Sequence, residues 1–166
     1  TPLTKDCSLE ILTFDDPEGK HAFWHTAAHV MAQAVQHLFP EAKFGIGPAL
    51  ENGWYYDIKV GRSLSTADFE AIEAEMKKLV KADEPIVRRT ITVEEGREIF
   101  AGQDYKLELL EEYAAKGWEL SIYTQGDFTD LCAGPHLMST GMLKAVKLTK
   151  VAAAYWRADA SRDSLD

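Results

Sequence analysis

The sequence predicts an α+β fold in which a mixed or antiparallel sheet packs around a central, uncharged helix. Segments with helical and strand-like patterns are interspersed along the chain, and several connections between them have the composition of hairpin turns. The helical pattern is strongest at residues 23–39, where apolar residues follow helical spacing and no residue is charged. An outer helix normally carries charges on its solvent face, so this helix is expected to be covered on most sides.

The first 20 residues are expected to lie apart from the main domain. Residues 7–14 alternate as a β-strand does, and residues 15–21 have the composition of a turn or linker. A single short strand has nothing to pair with inside such a segment. We therefore interpret residues 1–20 as the end of a preceding domain together with its linker.

The helix at residues 23–39 carries the first two candidate site residues. Pro40 is expected to end it, because the residue before a proline avoids helical angles. His25 and His29 are one turn apart, so their side chains are neighbours, on a face that points away from the apolar stripe. On these residues alone, buried core histidines and a functional pair are both open interpretations.

The middle of the chain is predicted to be scaffold. Residues 42–60 resemble a hairpin with the dipeptide Asn52-Gly53 at its turn. Capping-box patterns at residues 65–68 and 92–95 each predict the start of a helix, because a hydroxyl and a carboxylate three residues apart can satisfy free backbone N–H groups. Between these two patterns, residues 86–92 have the composition of a strand.

The remaining elements follow the same alternation. A helix is predicted near residues 104–116 and is expected to stop at Gly117, a residue that favours helix ends. Residues 119–132 and 144–158 are predicted to be strands with turns.

A second pair of candidate site residues lies in the motif DLCAGPH. It places Cys132 four residues before His136, with Asp130 two residues upstream of the cysteine. Gly134 and Pro135 prevent a regular helix here and are expected to form a tight turn that directs the cysteine and histidine side chains the same way.

Together the two pairs suggest a site built from three imidazoles and one thiol. His25, His29, Cys132 and His136 have the donor atoms that a tetrahedral zinc ion uses. The same four groups could instead hold a water molecule and transfer protons without a metal. Spacing alone leaves both interpretations open.

Composition excludes several classes of protein. The net charge of −9 argues against broad coating of a nucleic acid, because that binding needs clustered cations. No apolar run approaches the roughly 20 residues that span a bilayer, so no membrane partner is expected. Two cysteines do not make a disulfide framework, and a cytoplasmic setting is expected.

Five sequence blocks occur in order over residues 21–160: HTAAH, FGIGPALENGWYYDI, DYK, DLCAGPH and AAAYWRADA. In this combination the chain resembles the editing domain, also called the second N-terminal domain, of bacterial threonyl-tRNA synthetases. The resemblance implies that residues 1–20 are the C-terminal part of a TGS-like domain with its linker and that residues 21–160 are the editing domain. It also implies that residues 161–166 begin the connection to a class II catalytic core, which is absent from this chain.

The resemblance implies an editing activity with a clear physical motive. A pocket shaped for threonine cannot refuse serine sterically, and one missing methyl is worth only about 1–3 kcal/mol. The family's editing domain hydrolyses the ester of seryl-tRNA(Thr) and so preserves translational fidelity. Expected partners are the 3′ end of the mischarged tRNA and the remaining domains of a parent threonine–tRNA ligase. That parent is expected to be a homodimer through its core, which uses ATP and zinc.

The family's functional positions map onto seven residues of this chain: His25, His29, Tyr56, Lys106, Asp130, Cys132 and His136. The resemblance implies that the histidines and Asp130 bind and orient a hydrolytic water or the terminal ribose. It implies that Lys106 holds the carbonyl oxygen or a phosphate and that Tyr56 binds substrate. Without the resemblance, Lys106 would be interpreted as a surface lysine and Tyr56 as a core aromatic.

The resemblance also bears on metal binding. Threonyl editing domains are typically metal-free at this pocket, so no metal or other cofactor is expected here; if zinc binds, His25, His29, Cys132 and His136 are its expected ligands. One alternative is the zinc-dependent editing domain of alanyl-tRNA synthetases, which usually has threonine where this chain has Pro135. The other is a non-catalytic module that binds tRNA or is stabilised by zinc.

Overall fold

Four α-helices and nine short strands are interspersed over residues 3–166, the part of the chain that this computed structural model describes. The predicted α+β class is confirmed. The described strands form four small sheets, and every strand pair in them is antiparallel. No helix in this part of the chain combines the length and the apolarity that crossing a bilayer requires.

The first helix, α1, spans Pro17–Leu38 and begins six residues before its predicted start. The prediction of a linker at residues 15–21 is therefore wrong from Pro17 onward. Proline is favoured at the first position of a helix, where its missing N–H has no intrahelical partner to lose. The expected domain boundary after residue 20 falls inside this helix. Its buried residues lie at 26–30 and 32–35, and alanines among them let neighbouring elements approach closely.

The strand predicted at residues 7–14 is wrong. The chain has no regular secondary structure over residues 7–13, and Leu9 and Ile11 are largely exposed. An alternating pattern of apolar and polar residues is compatible with the two faces of a strand, but a strand also needs a hydrogen-bonded neighbour. No strand pairs with this segment within residues 3–166.

The hairpin predicted at residues 42–60 is confirmed as two nested antiparallel pairs. Its two-residue loop consists of Glu51 and Asn52, one position earlier than predicted, and Gly53 begins the return strand with φ of 146°. The strands are β1 (Lys43–Phe44), β2 (Ala49–Leu50), β3 (Gly53–Trp54) and β4 (Ile58–Lys59). β1 pairs with β4 and β2 with β3.

Both predicted capping boxes are formed. The first opens a 3₁₀ turn at Thr66–Asp68, which continues into α2 (Phe69–Ala82). The second opens α3 (Val93–Ile99), where the Thr92 N–H donates to Glu95 Oε2 at 2.8 Å. α2 packs against α1 along its apolar stripe, whose buried members are Ile72, Met76 and Leu79.

The largest sheet has three strands in the order β5 (Ile86–Thr90), β6 (Ser121–Gln125) and β7 (Phe128–Leu131). In its register Tyr123 lies opposite Asp130. The intervening helix α4 (Asp104–Ala115) ends just before Gly117, as predicted, and this glycine has φ of 70°. β7 ends at Leu131, so the first two residues of the DLCAGPH motif lie in the sheet and Cys132 directly follows it.

The strands predicted at residues 144–158 are wrong except for one short pair. Only β8 (Ala154–Tyr155) forms, and it pairs with β9 (Ser164–Leu165). Before it, the chain runs along α2 without regular structure, and the Leu148 N–H donates to Glu73 Oε1 at 2.8 Å. A side chain thus satisfies a backbone donor that the prediction had assigned to a strand partner.

The buried apolar residues form two clusters. One joins α1, α2 and the hairpin strands, and the other joins α4, the central strand of the largest sheet and Trp156. Polar residues that are buried along with these clusters need hydrogen-bond partners, so their contacts are informative about function.

Candidate functional site

The two predicted pairs of site residues meet at one point. His25 and His29 lie on successive turns of α1, and Cys132 and His136 lie on the loop that follows β7. One donor atom from each of these four residues lies within 4.8 Å of all the others. Cys132 Sγ is 3.3 Å from His25 Nε2 and 3.3 Å from His136 Nε2. The four groups therefore form a single cluster.

The loop that carries Cys132 and His136 depends on Gly134. This residue has φ of 82°, and a Cβ added to it would lie 2.1 Å from Tyr123 Oη. Its N–H donates to Cys132 Sγ at 3.2 Å, and the carbonyl of Pro135 accepts from His25 Nδ1 at 3.2 Å. The turn predicted from Gly-Pro thus holds the thiol and the α1 imidazole together.

Asp130 forms the buried floor of the cluster. The residue is only 2% exposed, and its Oδ2 lies 2.5 Å from Tyr56 Oη, which donates to it, and 3.2 Å from His29 Nε2. Its Oδ1 lies 2.5 Å from Lys106 Nζ. Tyr56 therefore makes a hydrogen bond to this carboxylate, while Lys106 and His29 lie within ion-pair distance of it.

Lys106 and Tyr56 belong to the same group. Lys106 is 4% exposed, and its Nζ donates to Tyr56 Oη at 3.0 Å. A surface lysine is thus excluded, and so is a purely apolar role for Tyr56. The structure brings together all seven residues singled out from the sequence.

Burial sets the protonation of the cluster. The pKa of His29 is well below its usual value, first because burial disfavours the charged ring and then because His25 and Lys106 lie nearby. Burial likewise lowers the pKa of His25 and of His136. It raises the pKa of the Cys132 thiol to about 12, with a further contribution from Asp130. Near neutral pH the cluster therefore holds neutral imidazoles and a protonated thiol.

His29 has one free ring nitrogen. Its Nε2 faces the Asp130 carboxylate, which can only accept, so the ring proton of the neutral imidazole belongs on Nε2. Its Nδ1 is buried and has no hydrogen-bond partner within residues 3–166. This nitrogen is consequently available to accept a proton.

Two clefts are lined by members of the buried group. Lys106 and Asp130 line a cleft of about 550 Å³, together with Phe44 and Phe128. Tyr56 lines a larger cleft of about 1380 Å³, which runs under residues 147–158. The polar group is thus buried but adjoins space in which a small molecule can sit.

The four-residue cluster fits a metal ion by its chemistry. Three imidazole nitrogens and one sulfur are typical zinc donors, and tetrahedral coordination separates such donors by roughly 3.3–3.6 Å. The two measured sulfur–nitrogen separations are 3.3 Å. His25, His29, Cys132 and His136 are therefore a possible metal-binding group.

Two neighbours of the cluster were not singled out from the sequence. Thr26 is fully buried between the two α1 histidines in the chain, and its Oγ1 lies 3.1 Å from His136 Nδ1. The ring of Tyr123 is centred 4.5 Å from that of His136. The position of Thr26 inside the HTAAH block was a usable signal that it lies near the site but not of this contact, whereas the position of Tyr123 requires the strand register.

The chain is similar to a known domain family and to several ligases. Residues 120–165 match the sequence model of the domain described as the threonyl and alanyl tRNA synthetase second additional domain. A threonine–tRNA ligase of Symbiobacterium thermophilum is 54% identical over 165 residues, which cover 98% of this chain and 25% of that protein. One of Caldanaerobacter subterraneus is 52% identical over 161 residues, covering 96% of this chain and 25% of that protein. A threonine–tRNA ligase of Parabacteroides distasonis is 50% identical over 167 residues, which cover 99% of this chain and 25% of that protein.

The chain spans about a quarter of the length of these curated relatives. The domain match includes Asp130, Cys132 and His136, and the ligase matches extend over nearly the whole chain. The chain therefore belongs to the threonyl-tRNA synthetase family, as the part of it that contains the second additional domain.

Proposed function

We propose that this chain hydrolyses the ester that links serine to tRNA(Thr), and that it thereby edits the product of a parent threonine–tRNA ligase. The convergence of three neutral imidazoles above the Lys106–Asp130 pair supports this most directly. Bases near neutral pH and a buried cation beside a cleft are the groups that ester hydrolysis requires.

The proposed reaction divides roles among the buried groups. A water molecule in the cluster donates a proton to His29 Nδ1 while its oxygen bonds to the ester carbonyl carbon. Lys106, held by Asp130 and Tyr56, stabilises the negative charge that develops on the carbonyl oxygen. The bond from the carbonyl carbon to the ribose oxygen then breaks, and that oxygen takes the proton from His29 Nδ1, which returns the imidazole to its neutral form. Cys132 stays a protonated thiol throughout and orients its neighbours rather than attacking.

The remaining assignments follow from the same proposal. We assign the 3′ end of mischarged tRNA(Thr) to the clefts beside Tyr56 and Lys106, and we treat α1 as the central helix that supports the site, because most of residues 26–35 are buried. The partners are the other domains of a cytoplasmic ligase, a homodimer whose core uses ATP and zinc. Residues 1–16 and 161–166 are assigned to the connections with those domains, since residues 17–20 belong to α1.

The test compares two charged tRNAs. The parent ligase that carries this chain should release serine from seryl-tRNA(Thr) and leave threonyl-tRNA(Thr) intact, because an extra methyl in a tight pocket costs about 1–3 kcal/mol. His25→Ala should reduce serine release by roughly 100-fold or more. His21→Ala, the same change at an exposed position one turn earlier, is the control. Equal release of both amino acids, or full activity in His25→Ala, would exclude the proposal.

A zinc-dependent site of the alanyl type is the second candidate, favoured by the four converging donors. In that case His25, His29, Cys132 and His136 would hold the ion, which would supply Lewis-acid activation of the ester. Such a domain would prefer seryl-tRNA(Ala) to seryl-tRNA(Thr) and would lose activity with a chelator. A non-catalytic module would release serine from neither tRNA.

A further inference from the structure

We infer that Thr26 is a positioning residue that fixes the tautomer of His136 and anchors the catalytic loop to α1. The catalytic consequence rests on the proposed function, whereas the tautomer assignment does not. The inference depends on one hydroxyl group that makes two contacts between α1 and the loop.

Thr26 joins the two halves of the cluster. Its Oγ1 accepts from the Leu137 N–H at 2.9 Å and lies 3.1 Å from His136 Nδ1. The residue is completely buried, at 0% exposure. One side chain of α1 thus contacts both the backbone and the imidazole of the loop that follows β7.

The direction of the second contact follows from counting protons. A threonine hydroxyl has one proton, and the Leu137 N–H can only donate, so it does not use that proton. Within residues 3–166, His136 Nδ1 is the one acceptor that this hydroxyl contacts. A buried hydroxyl proton without an acceptor is unfavourable, because the group has lost its hydrogen bonds to water without replacing them. The hydroxyl therefore donates to Nδ1, which must carry a lone pair.

The rest of the cluster is consistent with this assignment. Because His136 Nδ1 is an acceptor, the His136 ring carries its proton on Nε2. This nitrogen lies 3.3 Å from Cys132 Sγ and donates to it. The Pro135 carbonyl accepts from His25 Nδ1, so His25 Nε2 has a lone pair and lies 3.3 Å from the same sulfur. The thiol proton of Cys132 can therefore point toward the lone pair of His25 Nε2. Every proton from Thr26 to Pro135 then has an acceptor.

This placement of the ring protons gives the histidines different roles in the proposed reaction. His136 presents a donor to the centre of the cluster and cannot act as a base there. His29 keeps a free lone pair on Nδ1. Thr26 acts through His136 and through the loop backbone, and it touches no reacting atom itself.

Nitrogen NMR of the histidine rings tests the inference on this 18.5 kDa chain. In the unmodified chain and in Thr26→Ser, His136 should be protonated at Nε2, and its Nδ1 resonance should be that of a hydrogen-bonded acceptor. In Thr26→Val, which keeps the shape but lacks the hydroxyl, that resonance should move to the position of a free acceptor. Protonation of His136 at Nδ1 in the unmodified chain would overturn the inference, even if Thr26→Val does not fold.

Thr140→Val provides a matched structural control. Thr140 is also fully buried, and its hydroxyl also makes two contacts, donating to the Leu79 carbonyl at 2.8 Å and accepting from the Glu84 N–H at 3.0 Å. Thr140→Val should lower the free energy of unfolding about as much as Thr26→Val does, but it should leave the His136 resonances unchanged. A general loosening of the fold would move them in both variants and would contradict the inference.

Serine release by the parent ligase supplies the second measurement. Thr26→Val should lower kcat by between about 10- and 100-fold, and Thr26→Ser should restore most of it. If the unmodified ligase releases no serine, the proposed function fails while the NMR result still decides the role of Thr26. Full activity in Thr26→Val would overturn the catalytic part of the inference.

Discussion

Lys106 Nζ lies 2.5 Å from Asp130 Oδ1, and both side chains are almost completely withdrawn from solvent. Bringing two charges into an apolar interior costs several kcal/mol for each ion, so such a pair is weak evidence for stability on its own. At the edge of a cleft, however, it places a fixed cation where a substrate oxygen can reach it. The pair is therefore better explained by the proposed chemistry than by folding.

Removing one partner of this pair should be costly. Lys106→Met leaves the Asp130 carboxylate buried without its cation, and the free energy of unfolding should fall by about 3–5 kcal/mol. Adding Asp130→Asn should recover part of this loss, because the remaining group is then uncharged. Urea unfolding measures both variants, with Lys144→Met at an exposed position as the control. A loss as small as the control's would show that the pair is not buried in solution.

The stability of the chain should depend on pH through His37. Its Nδ1 lies 2.9 Å from Glu75 Oε1 and its Nε2 2.9 Å from Asp127 Oδ2, so it connects the end of α1 to α2 and to the β6–β7 turn. The hydrogen bonds to Glu75 and then to Asp127 raise the pKa of His37 above 6.5. The resulting stabilisation is complete below the unfolded value near 6.5 and is lost as the pH rises through the folded value.

Comparing His37→Gln with the unmodified chain at pH 5.5 and pH 8.5 isolates this contribution. The difference in unfolding free energy should be larger at pH 5.5, by up to about 1 kcal/mol, since the pair is partly exposed. His21→Gln, near the exposed start of the same helix, controls for the loss of a histidine. A difference that grows at pH 8.5 would mean that His37 is neutral in the folded chain.

Local signals in the sequence predicted the helices better than the strands. The capping boxes at Ser65 and Thr92 and the stop at Gly117 act within a few residues, and all three are formed. The strands predicted at residues 7–14 and over most of residues 144–158 are absent. A strand is stabilised by a neighbour that its own pattern does not reveal.

The sequence revealed the two pairs of site residues but not their arrangement in space. His25 with His29, and Cys132 with His136, are visible as spaced pairs, and the family resemblance added Tyr56, Lys106 and Asp130. Their convergence depends on β7 ending beside α1. The contact of Thr26 with His136 depends on the same tertiary arrangement and has no signal in spacing.

The cluster should be free of tightly bound zinc. Cys132 must lose its proton to bind a metal, and with a pKa of about 12 this loss costs free energy at pH 7. Dialysed chain should contain far less than one zinc ion, and serine release should survive a chelator. Metal analysis by mass spectrometry, before and after chelation, measures this. Near-stoichiometric zinc whose removal abolishes hydrolysis would establish the zinc-dependent alternative.

Gly134→Ala should disrupt the loop that carries Cys132 and His136 by more than the strain of its backbone angles alone. Its φ is 82°, and an added Cβ would overlap Tyr123 Oη at 2.1 Å. Gly102 has a nearly equal φ of 84° with nothing within 4 Å of such a Cβ, so Gly102→Ala measures the backbone strain alone, about 1–3 kcal/mol. Gly134→Ala should lose more stability than this control and should also reduce serine release.

Serine release should fall in Gly134→Ala because the displaced loop carries both Cys132 and His136. A shift of about 1 Å at a reacting group can lower the rate about 100-fold. Adding Tyr123→Val removes the overlapping ring, so it should restore part of the stability lost in Gly134→Ala. Urea unfolding and serine release from seryl-tRNA(Thr) measure the two effects separately. If Gly134→Ala and Gly102→Ala behave alike in both measurements, contact between the loop and Tyr123 does not position the cluster. The loop that carries Cys132 and His136 would then have to be held by its other contacts, among them its hydrogen bonds to Thr26, His25 and Ser121.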